Sequence, residues 1–137
     1  MATTPSLKSP DKAACEAIPP FVDARGTIQP ILDSQMGGCA LITSKAGAIR
    51  ANHYHQSDWH YSYVISGKIK YYHRPVGSDE KPTTEIFETG SVFYSPPMVE
   101  HAMEFLEDTT FIVVSKHSRD KDDYEEDVIR VPDLTKL

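Results

Sequence analysis

The stretch Gly47-Ala-Ile-Arg-Ala-Asn-His-Tyr-His-Gln-Ser-Asp-Trp-His-Tyr-Ser-Tyr-Val-Ile-Ser-Gly67 carries three of the chain's six histidines between two turn-forming glycines. Side chains alternate faces along a β-strand, so His53 and His55 project from the same face with imidazoles close enough to share one ion. Gln56-Ser57-Asp58 is polar and turn-prone, and His60-Tyr-Ser-Tyr-Val-Ile-Ser66 reads as a second strand. A hairpin across that turn brings His60 back beside the first two. Downstream, Gly90-Ser-Val-Phe-Tyr-Ser-Pro-Pro-Met-Val-Glu-His101 ends in another histidine, the natural fourth ligand.

Outward from this stretch the pattern repeats. CALITS lies upstream, and KIKYYHR follows across the tight Gly67-Lys68 turn. Beyond a polar loop at residues 75–82 come TEIFE, SVFYS, HAMEFL and TFIVVSK. Short β-rich runs at this spacing, with almost no helical periodicity, predict an all-β sandwich or barrel. Prolines 5, 10, 19 and 20 break up the first segment, so residues 1–20 are expected to form a flexible or draped arm. Residues 21–117 are expected to form the barrel. Residues 118–137 form a charged tail whose acidic run reads as a solvated face, while the apolar return at Val128-Ile-Arg-Val131 is expected to dock on the barrel or on a partner subunit.

A chain of 137 residues makes one domain. A net charge of -6 with no basic stripe argues against nucleic acid. No apolar run approaches the roughly 20 residues of a membrane span, and the N-terminus lacks the apolar core of a secretion signal. Cys15 and Cys39 form no Cys-x-x-Cys unit and fit a reducing cytoplasm.

Gly47-x5-His53-x-His55-x4-His60-x6-Gly67 resembles the first motif of the cupin superfamily, with His60 in the slot of the family's glutamate. Gly90-x5-Pro96-x-Met98-x2-His101 is similar to the second motif, with Met98 in place of a glycine and Phe105 in place of an asparagine. The resemblance implies a cupin-type β-barrel (a double-stranded β-helix or jelly roll) whose mouth holds one divalent transition metal on His53, His55, His60 and His101. An all-imidazole shell suits iron, zinc, nickel, manganese or copper without choosing among them. Asp58 is the alternative carboxylate ligand, and a histidine taken singly on a strand is more often a surface or hydrogen-bonded core residue than a ligand. His73 and His117 match no motif position and read as ordinary strand or strand-end residues.

Phe21-Val-Asp-Ala-Arg-Gly26 resembles the opening of cupin-type enzymes that epimerise or isomerise nucleotide-linked deoxysugars, and reads otherwise as a tight turn at Gly26. The favoured expectation is a metal-dependent enzyme acting on a small oxygenated substrate, of the keto-sugar or nucleotide-sugar isomerase or epimerase type. The alternatives are a non-heme iron dioxygenase with an all-histidine site and a non-catalytic small-molecule binding or sensor barrel. Tyr94 and Tyr61 are the candidate catalytic side chains, with Tyr71 and Arg74 weaker. Arg50 and Glu100 are out of phase with the histidines unless a strand bulges. A homodimer is expected, with Tyr61, Tyr63 and Ile65 either in its interface or filling the space between two sheets.

Overall fold

The computed structural model describes residues 4–118 and 120–137, with no side chains described at 121–123. Residues 1–3 of the expected arm and parts of the acidic run therefore lie outside the described residues. Near the N-terminus, β1 (Ser6–Leu7) pairs with β2 (Cys15–Glu16), and β3 (Phe21–Asp23) with β4 (Gly26–Ile28). The body comprises β5 (Gly38–Ser44), β6 (Ile49–His55), β7 (His60–Ser66), β8 (Lys68–Pro75), β9 (Thr83–Glu88), β10 (Val92–Ser95), β11 (Val99–Phe105) and β12 (Thr109–Ser115). A short helix α1 (Lys121–Asp127), β13 (Val128–Arg130) and a 3-10 turn (Leu134–Lys136) follow.

The strands form an antiparallel four-stranded sheet in the order β10-β7-β12-β5 and a five-stranded sheet in the order β13-β6-β11-β8-β9. Alternation decides which residues lie between them. On β7, His60, Ser62 and Val64 are buried while Tyr61 and Tyr63 are half-buried and Ile65 is exposed. The core between the sheets gathers Val64, Ile69, Tyr71, Phe87, Phe93, Phe105, Phe111 and Val113. Phe87 and Phe93 stack with ring centroids 4.4 Å apart. Each such side chain contributes on the order of 1.5–3 kcal/mol through burial.

This is the all-β jelly-roll architecture expected, built as two facing sheets. It is not closed into a cylinder: among the described residues no ladder joins the sheets. The reason is visible at β10, whose outer edge is occupied by the N-terminal segment instead of β9. Ala14 bridges Phe93, and the Tyr94 amide donates to the Ala13 carbonyl at 2.9 Å. Ala13, Cys15 and Ile18 are buried there. Burial pushes the Cys15 thiol up to about 12, so it stays protonated and inert. At the opposite side β13 covers the edge of β6, and Leu134 is fully buried against Tyr72 and Ala102.

Candidate active site

β6 delivers His53 and His55 to the inner face, β11 delivers His101 directly opposite His53 in the ladder, and β7 delivers His60 from the facing sheet. All four are buried, His55 completely. Ring centroids lie 4.9 Å apart for His53 and His55, 4.8 Å for His53 and His101, and 4.5 Å for His55 and His60. Imidazoles from three strands thus meet between the sheets.

Two carboxylates enter the same cluster. Asp58, in the β6–β7 turn, lies 3.1 Å from His60 Nε2 and accepts the Trp59 amide at 2.9 Å and the His117 amide at 3.0 Å. Asp127, at the end of α1, lies 3.1 Å from His55 Nδ1 and accepts the Ser57 amide at 2.8 Å. Burial works to raise both carboxyls. Bonds from His60 and the His117 amide outweigh it at Asp58, as do those from Ser57 and His55 at Asp127, so both lie below the usual carboxylate range.

The imidazoles shift the other way. Burial lowers His55, reinforced by the charge of His60 and partly opposed by Asp127 and Asp58. Burial and then the neighbouring His53, His55 and His60 drive His101 well below its ordinary value. His55 and His101 are therefore neutral at neutral pH.

The folded chain resists protons that the unfolded chain binds at an ordinary histidine's 6.5, so stability rises with pH through the region below that value. The urea midpoint should fall from pH 7 to pH 5. His101→Gln should flatten this slope, and an unaltered slope would remove the assignment.

A cavity of about 150 Å³ opens beside the cluster, lined by Arg50, His53, His60, Ser62, Ser95 and Tyr124 among others. Arg50 reaches it because β6 does bulge. Ala51 and Asn52 both have positive φ, at 73° and 54°, and the ladder to β11 shifts between His101 and Ala102. Asn52 is held there by the C-terminal segment, accepting the Leu134 amide at 2.9 Å and donating to Asp133 at 3.2 Å. Arg50 then donates to Ser44 Oγ at 2.6 Å and the Thr43 carbonyl at 3.2 Å.

The two tyrosines expected to be catalytic are placed elsewhere. Tyr61 and Tyr94 pair across β7 and β10 on the outer face of the four-stranded sheet, their rings 4.7 Å apart, because each is out of phase with its inward neighbours His60 and Ser95. Tyr61→Phe should change any turnover in the cavity by less than about twofold, as expected of a residue that packs and does not react. Glu100 is occupied by Arg74 at 2.8 Å. Tyr71 is fully buried and bonds Ser95 at 2.7 Å.

Sequence reasoning treated Asp58 only as a possible metal ligand and Asp127 as part of a solvated run. Asp58's spacing from His60, two residues within a turn, was the available signal. Asp127 had none beyond the apolar residues that follow it.

The model of one protein family, the polysaccharide biosynthesis C-terminal domain, matches residues 21–127. The chain belongs to that family. A search of curated proteins found no match.

Among solved structures, the family member is similar to QdtA, a sugar 3,4-ketoisomerase from Thermoanaerobacterium thermosaccharolyticum in complex with TDP, at 17% identity and TM-score 0.68, covering 83% of this chain and 84% of that one. It is also similar to the dTDP-4-dehydrorhamnose 3,5-epimerase of Sulfolobus tokodaii, at 16% identity and TM-score 0.64, covering 85% and 77%. A third similarity is to CapF, the capsular polysaccharide assembling protein of Staphylococcus aureus, at 24% identity and TM-score 0.65, covering 83% of this chain but 32% of CapF. These likenesses show the cupin-type fold. No helix among the described residues is long and apolar enough to cross a membrane.

The expectation of a required divalent metal is corrected by the same comparisons. Ligand atoms of His53, His55 and His101 lie within 4.8 Å of one another, as do those of His55, Asp58 and His60, a spacing that would admit an ion. The sugar-nucleotide isomerases and epimerases of this fold nevertheless act on TDP-sugars without a metal cofactor. Physically, an imidazole bonded to a carboxylate can move a proton near neutral pH without the help of a Lewis acid. Histidine density alone cannot distinguish a ligand set from such pairs. None of these comparisons supports the iron dioxygenase alternative.

Proposed function

We propose that this domain moves a proton on a carbon next to the carbonyl of a nucleotide-linked sugar, as an isomerase or epimerase. One observation carries the reading: His60 lines the cavity and is bonded to the buried carboxylate of Asp58. With Nε2–H donated to Asp58, Nδ1 of His60 keeps the lone pair that accepts the substrate's proton. The C–H electron pair moves onto the carbonyl oxygen as an enediolate, and the ionised Asp58 stabilises the imidazolium formed. Arg50 is the cation on the cavity wall that can donate to the enediolate oxygen. Return of the proton to the former carbonyl carbon, with the neighbouring hydroxyl proton passing to the enediolate oxygen, isomerises the sugar; epimerisation needs a second acid that protonates the same carbon from the opposite face.

The test is incubation with TDP-4-keto-6-deoxyglucose, a ligand of a QdtA variant, in deuterated water. Deuterium should enter next to the carbonyl, by proton NMR, and at an unchanged rate in excess chelator. Absence of exchange would overturn the reading, and loss of exchange on chelation would overturn its mechanism.

A homodimer belongs to the same proposal. Tyr63, Ile112 and Leu41 are cross-strand neighbours on the outer face of the four-stranded sheet, where Leu41 is 66% exposed. This is the face that carries Tyr61 and Ile65, so those residues do not fill the space between the sheets. Sedimentation should give twice the chain mass, falling to the single mass in Leu41→Lys.

A further inference from the structure

Ser95 stands directly across the β10–β7 ladder from His60, and both side chains line the cavity of about 150 Å³. Direct cross-strand partners have Cβ atoms about 4.5–5.5 Å apart, so the serine hydroxyl and the base face the same small volume. Pro96 follows, and a residue before a proline is confined to extended backbone, which keeps Ser95 in its strand register with its side chain on the inner face. The reaction proposed above does not use this hydroxyl.

Behind Ser95 lies Tyr71, which crosses from the five-stranded sheet and meets Ser95 Oγ at 2.7 Å. Its ring is gripped by Phe93, Phe87 and His101, at centroid distances of 4.9, 5.8 and 6.0 Å, and is 1% exposed. Burial holds the phenol above its ordinary range, so it keeps its proton at neutral pH. Among the described residues the acceptor for that proton is the Ser95 oxygen. Were Ser95 to donate instead, a buried O–H would be left unmet, whereas the serine's own proton has the cavity to turn to. Tyr71 therefore donates. Ser95 then presents to the cavity its O–H and its second lone pair.

Isomerisation requires a group of this kind. Once His60 holds the proton taken from carbon, the charge of the enediolate lies on the former carbonyl oxygen, while the neighbouring oxygen still bears a proton. The charge has to change oxygens before the new carbonyl can form. The imidazolium is committed to the carbon, so another group must serve the oxygens.

We propose that Ser95, positioned by Tyr71, carries the proton from one substrate oxygen to the other. The inference rests on the isomerase reading of the site. The Ser95 O–H bond breaks as its proton goes to the former carbonyl oxygen, and the O–H bond of the substrate hydroxyl breaks as its proton joins the Ser95 oxygen. Serine ends as it began, and the negative charge now sits on the second substrate oxygen. That electron pair forms the new carbonyl, while the carbon–carbon π pair takes the proton back from His60 at the former carbonyl carbon.

The experiment separates the two halves of the reaction in deuterated water. Deuterium entry beside the carbonyl of TDP-4-keto-6-deoxyglucose needs only the base, whereas formation of the neighbouring ketone, read by carbon NMR, needs the shuttle as well. Ser95→Ala should lower ketone formation about 10²-fold or more and leave deuterium entry within about threefold of wild type. Ser95→Thr keeps a hydroxyl and should recover most of the lost conversion. Tyr71→Phe frees the serine to rotate and should lower conversion about tenfold, again sparing exchange. If melting shows that Ser95→Ala does not fold, Ser95→Ala/Tyr71→Phe removes both partners, strands no phenol and takes its place.

A structural defect would lower exchange and conversion together. Equal losses of the two, or wild-type conversion in a folded Ser95→Ala, overturn the shuttle alone. A wild type that exchanges without converting overturns the shuttle and leaves His60 as base. A wild type that does not exchange overturns the isomerase reading and the shuttle with it.

Discussion

His60→Asn should lower kcat/KM for deuterium exchange by about 10²–10⁴-fold, the usual contribution of a positioned general base. Asparagine keeps a polar group of similar reach beside Asp58, so the variant should retain the wild-type melting profile and the two effects stay separable. Asp58→Asn should produce a loss of the same order. Its amide no longer stabilises an imidazolium, and its other bonds, from the Trp59 and His117 amides, can be kept by the amide oxygen. Arg50→Lys is expected to retain part of the activity, since a cation remains but the bonds to Ser44 and Thr43 that aim the guanidinium are lost. Full activity in folded His60→Asn would refute the assignment of the base, and the search for it would move to His53, which shares the cavity wall.

The largest effect on stability is expected at Gly67. It makes the turn from β7 to β8 with φ at 110°, a conformation that side chains rarely adopt. A methyl group there would lie 2.6 Å from the Thr109 Cα and 2.7 Å from the Asp108 carbonyl oxygen, both backbone atoms that cannot swing aside. Adding backbone strain to overpacking, Gly67→Ala should cost about 2–5 kcal/mol. A urea titration followed by circular dichroism reads this directly, and a midpoint within error of wild type would show that the turn relaxes freely. Gly47 has a similar φ of 88° but open space around it, so Gly47→Ala should cost only the strain, about 1–2 kcal/mol. The difference between the two variants separates steric contact from backbone conformation.

The chemistry of the site was less legible than its location. Counting residues places Arg50 on the far side, and the count fails because Ala51 and Asn52 take left-handed conformations, which asparagine favours but which nothing in the residue types requires of Ala51. Their cause lies some 80 positions away in sequence, where Asp133 and Leu134 hold the Asn52 side chain. Tyr61 and Tyr94 were chosen for their chemistry against their parity, and parity decided.

From the residues alone came the order of short alternating strands, the inward face of each, and hence the convergence of His53, His55, His60 and His101. The period of two sets the face of each side chain within its own strand, and the resemblance of the two histidine motifs to those of a known superfamily implied that His101 joins the other three. Which groups those imidazoles bond was decided only by the tertiary structure. Asp127 arrives from a helix 72 residues beyond His55, and Glu85 meets both His73 and the N-terminal segment from a strand 71 and 72 residues beyond Ala14 and Ala13. Whether a histidine acts as ligand or base depends on its nearest carboxylate: for His55 and His73 that distance is set by packing between segments remote in sequence, whereas Asp58 lies two residues from His60.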